Sequence, residues 1–233
     1  VIAPREQHSG AGRSMPVTSD GIINERIIHI NGHEWKAYAV GGSPAQTVEH
    51  AILEILPSKP QVIISGINFG ENLGVGITAS GTIGAALEGA LFGIPAIAVS
   101  LETPPEYYYS HSVTIDFSTA AFFTKLFTEI VLSKPLPKDV DVLKIDIPND
   151  ATPQTPWKVT RLTRLPYYEL TPPMRNSWNE KGLIGYRPHD KIQHPEDSDA
   201  YIIRQERMVS VTPLSVDFTS RLPLNEFDTW LKT

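Results

Sequence analysis

Three glycine-rich loops carry hydroxyl, amide and backbone N–H groups at spacings suited to an oxyanion or a hard metal ion. The first, residues 3–12 (APREQHSGAG), offers the Ser9 hydroxyl beside Gly10, where the backbone can approach a ligand closely. The second, residues 65–74 (SGINFGENLG), offers the side-chain amides of Asn68 and Asn72. The third, Ala79-Ser80-Gly81-Thr82, runs straight into a stretch of small and apolar residues. Its hydroxyls and N–H groups would therefore stand at the positive end of a helix, where anions bind. Each loop alone is also an ordinary turn, and Ser80 or Thr82 serves equally well as a helix N-cap. Order and spacing together carry the reading of phosphate chemistry.

Such loops need strands behind them. Residues 61–66 (QVIISG) form an apolar run breaking at glycine, the pattern of a central strand buried on both faces. Residues 82–92 predict a close-packed helix stopping at Gly93, 95–101 a second buried strand, 117–132 an amphipathic helix and 140–147 a third strand. This alternation implies a parallel sheet with right-handed crossovers, whose carboxyl edge is where ligands bind. Upstream, 25–30 and 34–40 should pair as a hairpin across Asn31-Gly32, and 47–56 has helical spacing ended by Pro57. Val1-Ile2-Ala3-Pro4 reads as the end of a buried strand entering a loop. After Pro148 periodicity fades: 157–162 and 182–186 are candidate hairpin strands, 200–212 returns to the body, 209–211 is a strand and 224–231 a short helix. The expected organisation is a core over 1–150, a β-rich arm over 151–200 and a returning segment over 201–233.

Composition narrows the chemistry. The 233 residues suit one large domain or a domain with an extension. A hydrophobic fraction of 41% with 20 prolines indicates a core carrying many loops. With 20 Lys+Arg against 26 Asp+Glu, the net charge of −6 and the lack of a basic block argue against polymeric nucleic acid as a partner. They leave a small anionic substrate open. The absence of cysteine excludes disulfides, thiolate metal sites and a cysteine nucleophile, so any metal must be held by oxygen or imidazole. No apolar run reaches the roughly 18 residues of a membrane span, and no signal peptide is legible, so a soluble, cytoplasmic protein is expected.

The run SGIN-x-G-x-NLG followed by SGT and GAALEGALFGIPAIAVSL resembles the SurE family of nucleotidases. VIAPxxxxSGAG at the start, Gly42-Ser43-Pro44-Ala45, Ile147-Pro148 and the stretch VSVTPL at 209–214 extend the likeness over nearly the whole chain. The resemblance implies an α/β fold, a Rossmann-like three-layer sandwich with a mainly parallel sheet and a β-rich C-terminal extension. It also implies metal-dependent hydrolysis of nucleoside 5′- and 3′-monophosphates. By motif, Ser9 and Asn68 would be metal ligands, with two aspartates expected upstream of Val1, in a first strand and acidic loop that the chain is expected to lack. One Mg²⁺ or Mn²⁺ suits such an oxygen set. Ser9, Asn68 and Asn72 would be catalytic, and Gly10, Ser43, Ser80, Gly81 and Thr82 would hold the phosphate. A homodimer or homotetramer through the arm is expected. The alternatives are a broad acid phosphatase or exopolyphosphatase, and a non-catalytic binding or assembly module on the same scaffold.

The chain departs from the family pattern at Ala79, where tyrosine is common, and at Gln46-Thr47, where Asp-Cys is usual. Other residues invite a role. His8 beside Ser9 could orient substrate, and Asp146 on a buried strand is a candidate acid. Tyr107 to Tyr109 with His111 suggest a base-stacking surface, though an aromatic loop covering core explains them better. Glu88, mid-helix among small residues, is read as a structural hydrogen-bonding group. Trp157, Tyr167, Tyr168, Trp178 and Tyr186 give the arm an aromatic surface that a neighbouring subunit would cover.

Overall fold

A computed structural model describes residues 1–104, 107, 114–189 and 191–233. Tyr108, Tyr109 and His111, named above for base stacking, lie outside the described residues. The chain runs β1 (Ile2–Pro4), β2 (Ile23–Ile30), β3 (His33–Val40), α1 (Pro44–His50, continued by a wider turn over Ala51–Ile55), β4 (Ile63–Phe69), α2 (Gly81–Leu91), β5 (Ala96–Leu101), α3 (Ser118–Ser133) and β6 (Val142–Ile147). Then follow β7 (Trp157–Val159), β8 (Tyr168–Thr171), β9 (Gly185–Pro188), α4 (Asp199–Tyr201), β10 (Val209–Leu214) and α5 (Leu224–Lys232).

The larger sheet has the order β4-β5-β6-β10-β7, with β4, β5 and β6 parallel and β10 antiparallel to β6. Strand alternation sorts the β5 side chains onto two faces. Ile97, Val99 and Leu101 pack with Phe123, Phe127 and Val131 of α3, while Ala96 and Ala98 pack with Ile83, Ala86 and Ala90 of α2. The three-layer sandwich follows from that division: alanines where α2 lies close, branched and large residues where α3 stands off. On the α2 side, Gly84 lets loop 8–13 approach, since a Cβ there would sit 2.3 Å from the Gly12 carbonyl oxygen.

A second sheet has the order β1-β3-β2. The expected hairpin forms, with Ile30 opposite His33 and the turn residues Asn31 and Gly32 at φ 51° and 77°, the left-handed pair that a two-residue turn requires. Ile2–Pro4 is only partly buried, because β3 covers one edge and the other lines an open cleft. The hairpin expected between 157–162 and 182–186 does not form. Trp157–Val159 instead runs parallel to β10 at the rim of the main sheet, and Gly185–Pro188 pairs with Tyr168–Thr171. The arm is also not all projection: Tyr167 is buried against Leu73, Ala200 and Ile203. Helix α5 has the expected span and buries none of its residues.

Candidate functional site

All three glycine-rich loops open into one cleft of about 1390 Å³. It exceeds the roughly 300–1,000 Å³ of small-molecule pockets because it runs on into the groove between β1 and β4, each the outermost strand of its sheet. Ser9, Gly10, Asn68, Asn72, Ser80 and Thr82 all line it. Gly81 and His8 line it too.

Asn68 closes β4. The ladder to β5 pairs Ser65 with Ala98 and resumes at Asn68 with Ser100, a local irregularity of the kind that re-aims a side chain beside a site. Asn68 Nδ2 donates to the carbonyls of Gly70 at 2.8 Å and Phe69 at 3.2 Å. That fixes Oδ1 as the outward oxygen, and the Thr82 hydroxyl donates to it at 3.2 Å. The second loop and the start of α2 are thus joined by a side-chain hydrogen bond. Ser80 is the α2 N-cap: its Oγ accepts from the Ile83 N–H and still has a proton to donate. The N–H groups of Gly81 and Thr82 lie in the first turn, where a helix supplies no internal acceptor.

Loop 8–13 docks on this helix end. The Gly12 N–H donates to the Ala79 carbonyl at 2.8 Å, and Arg13 Nε reaches Glu88 at 2.6 Å. Glu88 is therefore the structural anchor expected of it, and the loop it holds carries Ser9 and Gly10. Ser43 stands apart. It is fully buried as the α1 N-cap, accepting from the Gln46 N–H and donating to the Ser14 carbonyl, and it does not line the cleft. Gln46 completes that capping box, accepts from Ser19 and donates to Pro16, so this departure from the family pattern serves to tie down loop 14–20. Asp146 does not line the cleft either; it is buried in contact with Lys144.

The donor type offered by Asn68 Oδ1 and Ser9, neutral hard oxygen, fits Mg²⁺ or Mn²⁺. Among the described residues no group of three or more His, Cys, Asp or Glu side chains is arranged to hold a metal ion.

One wall of the cleft comes from the arm: Leu165, Tyr167, Tyr168, Leu170 and Tyr186. Sequence reasoning assigned these tyrosines to assembly, and the adjacent pair Tyr167-Tyr168 was the signal available for a wall. Tyr167 donates to Glu71 Oε1 at 2.7 Å, while Glu71 Oε2 is buried without a partner among the described residues. Burial pushes the Glu71 carboxyl above its usual range, against hydrogen bonds from its own backbone N–H and from Tyr167 that pull it down. Burial and Glu71 together push the Tyr167 phenol up, so it stays a donor. Replacing Tyr167 with Phe should cost about 1–3 kcal/mol, the penalty for orphaning a buried polar group. Losing the donor raises the Glu71 pKa further, so the deficit should grow as pH rises through that value and shrink in acid. Urea titrations of Tyr167→Phe at pH 4.5 and 8 test the sign.

Against known proteins, the family model described as Survival protein SurE matches residues 1–169. The "5′-nucleotidase SurE" of Thermococcus kodakarensis is 36% identical over 231 residues, 97% of this chain and 85% of the relative. That of Methanocaldococcus jannaschii is 35% identical over 231 residues, with 97% and 84% covered. The crystal structure of the SurE protein from Aquifex aeolicus superimposes with a TM-score of 0.73 at 28% identity, covering 98% of this chain and 86% of that one.

Proposed function

Because the chain belongs to the SurE family, we propose that it is a 5′-nucleotidase that hydrolyses nucleoside 5′-monophosphates, and 3′-monophosphates as well, to nucleoside and inorganic phosphate. The observation that carries this reading is the meeting, in one cleft, of the α2 N-terminus with Asn68, Asn72 and loop 8–13. Overall the P–O ester bond is cleaved with the elements of one water, the nucleoside keeping the ester oxygen as its hydroxyl and the phosphoryl group leaving as inorganic phosphate. Ser80 by its hydroxyl, Gly81 and Thr82 by their helix-end N–H groups and Gly10 by its loop N–H hold the phosphoryl oxygens. Asn72 offers an N–H to the charge that builds on those oxygens. Ser9 and Asn68 would contribute oxygen ligands to one Mg²⁺ or Mn²⁺. When bound, such an ion polarises a phosphoryl oxygen. The tyrosine wall gives the remainder of the substrate an aromatic surface.

The arm is proposed to join subunits into a homodimer or homotetramer. Met174, Trp178 and Leu183 stand almost wholly exposed on it, which supports that reading. The complete gene product should show a higher kcat/KM for nucleoside monophosphates than for polyphosphate or an aryl phosphate. Equal or inverted ratios would make it a broad phosphatase instead.

A further inference from the structure

Behind the cleft, three charged side chains are fully buried together. Lys144 of β6 pairs with Asp146 on the same strand and with Asp199, at the start of α4, at 3.1 Å. Three buried charges are a poor way to gain stability, since well-packed apolar residues usually do as well or better. What distinguishes this cluster is where its oxygens point. Asp146 Oδ1 accepts from the Asn72 N–H at 2.7 Å, and Asp199 Oδ2 accepts from the Gly74 N–H at 2.8 Å. Asp199 Oδ1 accepts from the Thr163 N–H at 3.0 Å, and the Thr163 carbonyl in turn accepts from the Val75 N–H at 3.0 Å.

The segment after Asn68 is therefore held from behind at Asn72, Gly74 and Val75. Gly74 has φ 63°, and a Cβ there would lie 2.7 Å from Thr163 Cγ2, so the fit leaves no room for another residue. The Asn72 side chain is fixed as well, Nδ2 donating to Ser100 Oγ at 2.7 Å. Lys144 holds the two carboxylates at the spacing of the two N–H groups.

We propose that Lys144, Asp146 and Asp199 are positioning residues for the phosphate-transfer step, acting through Asn72, an inference that rests on the function proposed above. They touch no substrate. They set the place of an amide whose contribution depends on alignment with the transition state.

The test is a double-mutant cycle in the complete gene product with a nucleoside 5′-monophosphate. Asp199→Asn should lower kcat by about 10–100-fold, the range for groups that orient a working residue. KM should stay within about threefold, because a misplaced Asn72 costs the transition state more than the ground state. Asn72→Ala should cost about 100-fold or more in kcat. Adding Asp199→Asn to Asn72→Ala should then cost less than about threefold further, since both act through one group. Effects that multiply in full, or that fall on KM, would overturn the proposal. If Asp199→Asn does not fold, Asp146→Asn, which keeps an oxygen for the Asn72 N–H while removing the charge, is read by the same criteria. Hydrogen exchange at the Asn72 and Gly74 amides separates the two readings. Should the wild-type protein fail to hydrolyse nucleotides, the proposed function falls. Faster exchange at those two amides in the aspartate variant would still uphold the positioning role, and unchanged exchange would overturn it.

Discussion

Asn68→Ala is expected to lower divalent-metal affinity and kcat/KM together, each by about 100-fold or more. Loss of a residue that merely orients a metal ligand costs about 10–100-fold, so loss of a ligand should cost at least that. Two features of the structure make the effect larger than one missing oxygen. Asn68 Nδ2 clamps the turn at Phe69 and Gly70, and Oδ1 is the acceptor that draws Thr82 at the mouth of α2 toward the second loop. Alanine removes the oxygen, the clamp and the bridge at once. Activity measured against rising Mg²⁺ or Mn²⁺, with calorimetric titration of the metal alone, checks the claim. Near-normal activity at low metal concentration would show that Asn68 is not a ligand.

Lys144→Met should be the most destabilising of the substitutions considered, by about 3–5 kcal/mol at neutral pH. Removing one member of a buried ion cluster leaves the others charged and uncompensated. Methionine nearly conserves volume, so the loss is electrostatic rather than a cavity. The pH dependence identifies it. Burial already pushes Asp146 above the usual carboxylate range, against the Lys144 ammonium that pulls it down. Without the lysine that carboxyl rises further above its unfolded value. Its ionised form then destabilises the native state at any pH above the raised value, and the native state takes up a proton as pH falls through it. The deficit should therefore be largest near pH 8 and smaller near pH 5. Denaturant titrations of both proteins at the two pH values measure it. A deficit that grew on acidification would contradict the account.

What was legible in the sequence was local. The hairpin was marked by Asn31-Gly32, the two residues that adopt a left-handed turn readily. Helix α2 was marked by its small residues, and those same residues let the sheet and loop 8–13 come close. The three loops were expected to converge at strand ends, and they do line one cleft, although β1 and β4 lie in different sheets and the third loop follows a helical turn over Gly74–Ala79 rather than a strand. The Gly12–Ala79 and Thr82–Asn68 hydrogen bonds bring them together.

What was not legible depends on partners distant in sequence. Asp146 looked like a candidate acid because a buried strand carboxylate suggests a perturbed group; its second charged neighbour, Asp199, is 53 positions away and carries no local mark. Trp157–Val159 is three residues long, too short for its pattern to name β10 as its partner. Ser43 matched a family segment, yet the same Ser-Pro-x-Gln spacing is a capping box, and the cap is what its hydroxyl serves. Tyr167 was read as surface awaiting a subunit, whereas it is buried in one cluster with Leu73, Ala200 and Ile203 and its hydroxyl donates to Glu71 at the cleft wall.

Phosphate is expected to leave a nucleoside monophosphate under metal control. The measurement is inorganic phosphate released from a nucleoside 5′-monophosphate by the complete gene product, before and after chelation, and after Mg²⁺ or Mn²⁺ is restored. The account predicts steady release, its loss on chelation and its recovery with one of the two ions. Release unchanged by chelation, or no release with either ion present, would contradict it.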